Sequence, residues 1–209
     1  MKTKLLAMAA ILAAILTLPI GAENQNPVFI WKVIVPVKQN GEVRTCPICS
    51  ASLPESDIQS GGEILMKRQL AGGLKTFQRC KFLFFADEPD KTEIEKILDP
   101  AQMLEVAKQK GAGSLLVPVL LRYHELVGSK FAAASPASVV FHLHIIRVED
   151  SKTSWSFIYD ETQRPLSENV LEFNKLRKRG FKWVKAEQLL AEGIEKAMKA
   201  FPPCGETPP

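Results

Sequence analysis

SVVFHLHIIRVEDSKTSWSFIY, residues 138–159, decides the fold. Ser138–Val148 is an almost unbroken run of β-branched, aromatic and aliphatic residues, the composition of a buried strand. Glu149-Asp150-Ser151-Lys152 breaks the run with turn formers, and Thr153–Tyr159 resumes it. Strand, tight turn and strand make an antiparallel hairpin. Within it, His142 and His144 stand two residues apart. Alternate residues on a strand share a face, so both imidazoles point the same way about 7 Å apart, as a half-site for zinc or copper would require. Val140, Ile146 and Val148 share that face, so a pair of partly buried, hydrogen-bonded histidines under a helix accounts for the pattern and is the preferred reading. His124 joins them as a third ligand only if the neighbouring strand has the right register.

Working back from the hairpin, Ser114–Arg122 (SLLVPVLLR) is another buried strand. Before it, Asp99 as N-cap, Pro100 at the first helical position and Gly111 as the stop frame a helix. Thr92 and Glu95 form a capping box that opens a short helix through Leu98. Cys80–Phe85 (CKFLFF) is a short strand. Glu63–Leu74 carries Ile64, Met66, Leu70 and Leu74 at helical spacing. Residues 38–62, with Asn-Gly, prolines, serines and Gly-Gly, form a loop longer than compact domains commonly hold. Val28–Val37 (VFIWKVIVPV) is the first strand. Downstream of strand three, a Gly/Ala/Ser-rich connection spans 127–138. Beyond the hairpin, Ser167 caps a helix over Glu168–Lys178, and a last amphipathic helix runs from Lys185 or Ala186 to Ala200. The order is β-α-β-α-α-β-β-β-α-α. It implies an α/β (α+β) fold: a mixed five-stranded sheet, its early strands joined by crossovers and its late ones by a hairpin, with helices packed on it.

The N-terminus reads as an export signal: Lys2 and Lys4, an apolar run over Leu5–Leu18, then Pro19-Ile20-Gly21-Ala22 with cleavage after Ala22. An uncleaved anchor is the competing reading, disfavoured by a run shorter than the ~20 residues a spanning helix needs. Removing the first 22 of the 209 residues leaves 187, read as one α/β domain over 23–201 and a tail over 202–209. The formal charge of +4 includes Lys2 and Lys4, so the remainder is close to neutral and nucleic acid is excluded as a general partner. The expected location is periplasmic or secreted.

Four cysteines in an exported chain favour disulfides. Cys46 and Cys49 lie in TCPICSAS, residues 45–52, and Cys80 and Cys204 stand alone. Thiol-redox chemistry needs the first cysteine of the pair at a helix N-terminus, and SASLPES follows Cys49 instead. An all-cysteine zinc site wants a second close pair, which is missing. The reading is therefore a Cys46–Cys49 bridge, or long-range bridges that use Cys80 and Cys204; four cysteines allow three complete pairings. The segment KLRKRGFKWVK gathers Lys175, Arg177, Lys178, Arg179, Lys182 and Lys185 around Phe181 and Trp183. In an exported protein such a segment suits anionic headgroups or acidic partners, or is a solvated helix end anchored by its aromatic residues. Asp160 and Glu161 are adjacent on a strand and point to opposite sides, which suits ion pairing with Arg164 or Arg147 better than an acid/base dyad. No nucleophile elbow, phosphate loop or dinucleotide fingerprint occurs, so neither a catalytic residue nor a cofactor is implied.

The stretches VIVPV, AKQKGAGSLLVPVLLRY and LHIIRVEDSKTSWSFIYDETQ resemble a superfamily of exported bacterial envelope proteins. It includes the curli-secretion lipoprotein, the amino-terminal domain of TolB and the lipoprotein activators of penicillin-binding proteins. Ser114 and Val37 depart from its pattern, and the lipid-anchor cysteine is missing. The resemblance implies a non-enzymatic module that binds an envelope protein or self-associates, and it brings no catalytic residues. The alternative is a thiol-redox or metal-binding protein that uses Cys46, Cys49, His142 and His144.

Overall fold

A computed structural model describes residues 27–38, 43–54, 57–78, 80–85, 99–129, 133–164, 177, 180 and 182–203. In chain order the elements are β1 (Val28–Ile30), β2 (Val43–Thr45), β3 (Ser52–Pro54), α1 (Gly62–Leu74), β4 (Phe82–Phe84), α2 (Pro100–Gln109), β5 (Ser114–His124), β6 (Val127–Gly128), β7 (Ala133–Ser135), β8 (Ser138–Arg147), β9 (Thr153–Thr162) and α3 (Ala186–Lys199). The expected leader, the capping-box helix at 92–98 and most of the helix at 168–178 lie outside the described residues. Among the described residues no helix is long and apolar enough to cross a membrane.

Five strands form one mixed sheet in the order β4-β1-β5-β8-β9. β4, β1 and β5 are parallel, and β5, β8 and β9 are antiparallel. The expected hairpin is therefore present, and the expected crossovers carry α1 and α2. Asp99 caps α2 by accepting from the Ala101 amide at 3.1 Å, as its sequence signature required.

The first strand is shorter than expected. Its ladder to β5 runs through the Trp31 amide, which donates to Leu116 O at 2.9 Å, and resumes at Ile34, which bridges Val119. Pro118 on β5 has no amide to offer between them, so regular pairing lapses there. The 38–62 stretch also differs from an unstructured loop: β2 and β3 pair within it as a two-stranded ribbon. A second small ribbon, β6 with β7, occupies the Gly/Ala/Ser-rich connection.

The sheet divides the core in two. On one face, α1 (Met66, Leu70, Leu74) and α3 (Leu189, Leu190, Ile194) pack on Leu116, Leu120, Phe141, Leu143 and Ile145. On the other, α2 (Met103, Leu104, Ala107) packs on Leu115, Val117, Val119, Val140 and Ile146. Cys46, Ile48 and Leu53 of the β2–β3 ribbon belong to this second cluster. That ribbon, rather than a helix, meets the histidines of β8.

Candidate metal centre

The site begins with the turn that joins β2 to β3. Pro47 presets its own φ, and Ser50 takes the left-handed φ of 59°. The Cys46 amide donates to Ala51 O at 2.9 Å, and the Ser50 amide donates to Cys46 O at 3.0 Å. These two bonds curl the segment Cys46-Pro47-Ile48-Cys49 into a knuckle that brings both thiols to the sheet. The amides of Ile48 and Cys49 also hydrogen-bond Cys46 and favour its thiolate.

β8 supplies the other half. His142 lies between Val119 and Ile158 in the ladder, and His144 between Val117 and Ser156. The rings stand 5.7 Å apart and nearly perpendicular, at 83°. The knuckle lands on them: Cys46 Sγ is 3.4 Å from His144 Nε2, and Cys49 Sγ is 3.4 Å from His142 Nδ1. All four donor atoms lie within 4.8 Å of one another. Cys46, His142 and His144 are buried, whereas Cys49 is exposed.

Electrostatics follow from the burial. It pushes the Cys46 thiol up to about 11 against the opposing pull of the two amides. It holds His144 down at about 4, with His142 reinforcing the effect. It also lowers His142, against the pull of Asp160. Both imidazoles are thus neutral near pH 7 and have a lone pair to offer. Ser156 Oγ lies 2.8 Å from His144 Nδ1, so a proton held there leaves Nε2 bare and facing Cys46. Ser156 is a site residue that sequence reasoning missed; its only signal was its place opposite His144 in the hairpin.

A tetrahedral zinc ion with sulfur at about 2.3 Å and nitrogen at about 2.0–2.1 Å sets its sulfur and nitrogen ligands about 3.5 Å apart. Both observed Cys–His separations match that edge. Two thiolates and two neutral imidazoles around a divalent ion also sum to zero charge, which burial favours over any net charge.

The remaining sequence candidates fall elsewhere. Cys46 and Cys49 are free rather than bridged, while Cys80 is disulfide-bonded and Cys204 lies outside the described residues. His124 pairs with Ser138, four residues along β8 from His142, and contacts Ser135 Oγ at 2.9 Å and Asp57 at 3.6 Å. It is no third ligand. Arg147 pairs with Asp150 at 2.6 Å instead of Asp160 or Glu161, and Asp160 faces Arg122 at 4.0 Å. Of the basic segment, Arg177, Lys182 and Lys185 are exposed; Lys175, Lys178 and Arg179 lie outside the described residues.

No family model and no curated protein matches the sequence. Among solved structures, the chain is similar to the PelC dodecamer from Paraburkholderia phytofirmans, with 11% identity over 83% of this chain and 84% of that one at a TM-score of 0.48. It is similar to lipoprotein GNA1162 from Neisseria meningitidis, with 10% identity over 75% of this chain and 99% of that one at 0.44. It is similar to TolB from Acinetobacter baumannii, with 9% identity over 86% of this chain and 30% of that one at 0.34.

Proposed function

We propose that this chain is an exported, non-enzymatic protein of the cell envelope that binds one zinc ion through Cys46, Cys49, His142 and His144. The observation that supports it is the convergence of four donor atoms within 4.8 Å from a loop ribbon and a central strand. A tetrahedral set of two sulfurs and two nitrogens is the preference of zinc among common divalent metals. Four protein ligands fill the coordination shell, as in zinc sites that stabilise structure; catalytic sites keep a position for water. The metal would hold the β2–β3 ribbon on the sheet, the task that the cysteine pattern alone would give to a disulfide.

The test is to express the chain with its leader, collect the exported protein, and measure zinc content alongside thiol mass with and without reduction. One zinc per chain, Cys46 and Cys49 reduced, and loss of the zinc in a Cys46→Ser/His144→Asn double variant are expected. A metal-free protein with Cys46 bridged to Cys49 would remove the proposal.

One observation favours a second role. The buried Gln163 donates to Lys182 O at 2.9 Å and accepts the Val184 amide at 2.8 Å, which pins the strap before α3 with Lys182 and Lys185 exposed. Fixed surface cations of this kind suit an anionic membrane surface. Sedimentation with phosphatidylglycerol vesicles should weaken on Lys182→Glu/Lys185→Glu substitution; equal sedimentation of both proteins would end this reading.

A further inference from the structure

The four ligands are not equivalent. Cys46 and His144 are 0% exposed and His142 is 3% exposed, all buried between the knuckle and the sheet. Cys49 alone is exposed. The flank beside it is open as well: Ile158, opposite His142 in the ladder, lies on the edge strand β9 and is 58% exposed. The ribbon has anchors besides Cys49: Ile48 and Leu53 pack on the second core cluster, Arg44 donates to Pro36 O, and Arg122 donates to Pro54 O at 3.5 Å.

From this asymmetry we infer that the centre exchanges its zinc with thiol-bearing ligands through Cys49; this rests on the zinc reading above. Three buried ligands form a fixed platform, and the fourth is a latch on the solvent side. In the exchange step an incoming thiol loses its proton and its sulfur bonds to zinc. The bond from zinc to Cys49 Sγ breaks, and the Cys49 thiolate takes up a proton. No electron moves, and the ion has four ligands before the exchange and four after it. The mixed-ligand ion then leaves Cys46, His142 and His144 in turn, or the sequence runs backwards to load the site. A zinc site with all four ligands buried offers no such entry, because the ribbon would have to lift off the strand before any ligand could be reached.

The experiment uses the exported chain loaded with zinc, an excess of a chromogenic zinc chelator, and glutathione as the probe thiol. Release from the wild type is expected to accelerate in proportion to glutathione concentration. Cys49→Ser, a substitution at an exposed position, is expected to keep one zinc per chain with weakened affinity and to lose the dependence on glutathione. Cys46→Ser is expected to lose the zinc. A wild type that holds zinc but releases it at a rate indifferent to glutathione overturns the exchange and leaves the zinc reading standing. The exchange is equally overturned if Cys49→Ser loses zinc as completely as Cys46→Ser. A wild type that takes up no zinc overturns both. The glutathione titration of the wild type tests the exchange itself, and the Cys49→Ser titration tests its route.

Discussion

His144 has its ordinary value of 6.5 in the unfolded chain and about 4 in the fold. Between those two values the unfolded chain binds a proton that the folded one refuses, so metal-free protein loses stability as pH falls from 6.5 towards 4. Below about 4 both states are protonated at this site, and the loss stops. His142 pulls in the same direction. Melting curves at about pH 7 and about pH 4.5, in the presence of chelator, should therefore show a smaller acid shift in His144→Asn than in the wild type; equal shifts would contradict the assignment. At this scale the sequence was half legible. Strand periodicity alone put His142 and His144 on one face. It could not say what covered them, because Cys46 and His144 are 98 positions apart and meet only if the ribbon folds back over the sheet. The site is split between two halves, a CxxC and an HxH. Neither half is complete alone.

At the scale of elements, packing distance decides what composition leaves open. α3 crosses β8 and β9 so closely that a Cβ on Gly193 would stand 2.6 Å from Phe141 Cε1 and 2.7 Å from Tyr159 Cδ1. Overpacking of this kind costs about 1–3 kcal/mol. The greater helix preference of alanine offsets ~1 kcal/mol of that cost. Gly72 in α1 has nothing within 4 Å of the same position, so there only the helix preference acts. Gly193→Ala should lower the denaturation midpoint and Gly72→Ala should raise it, and shifts of the same sign would contradict the packing described. The three described helices were legible, since the Asp99 cap, Pro100 and the α3 stripe are local signals. The strand ends were not. Whether Val28–Val37 pairs throughout depends on Pro118, a residue of the facing strand, and no pattern within the first strand reports it. The β2–β3 ribbon escaped notice for a related reason: three-residue strands carry too little periodicity to show.

On the scale of the whole molecule, the mixed sheet follows from one contrast. Buried runs separated by helix signals must cross over, and buried runs separated by EDSK must turn back. That contrast is written in the sequence, and the sheet order β4-β1-β5-β8-β9 realises it. The sheet then has two faces to cover and only three described helices. Among the described residues α1 and α3 share one face, α2 takes part of the other, and the ribbon covers another part with its thiols over two histidines. The candidate site thus lies where the ribbon, rather than one of the described helices, meets the sheet. X-ray absorption at the zinc edge of the zinc-loaded chain probes that site without any substitution. A shell of two sulfurs at about 2.3 Å and two imidazole nitrogens at about 2.0–2.1 Å is expected. A shell of oxygen alone, or of sulfur without imidazole, would contradict it.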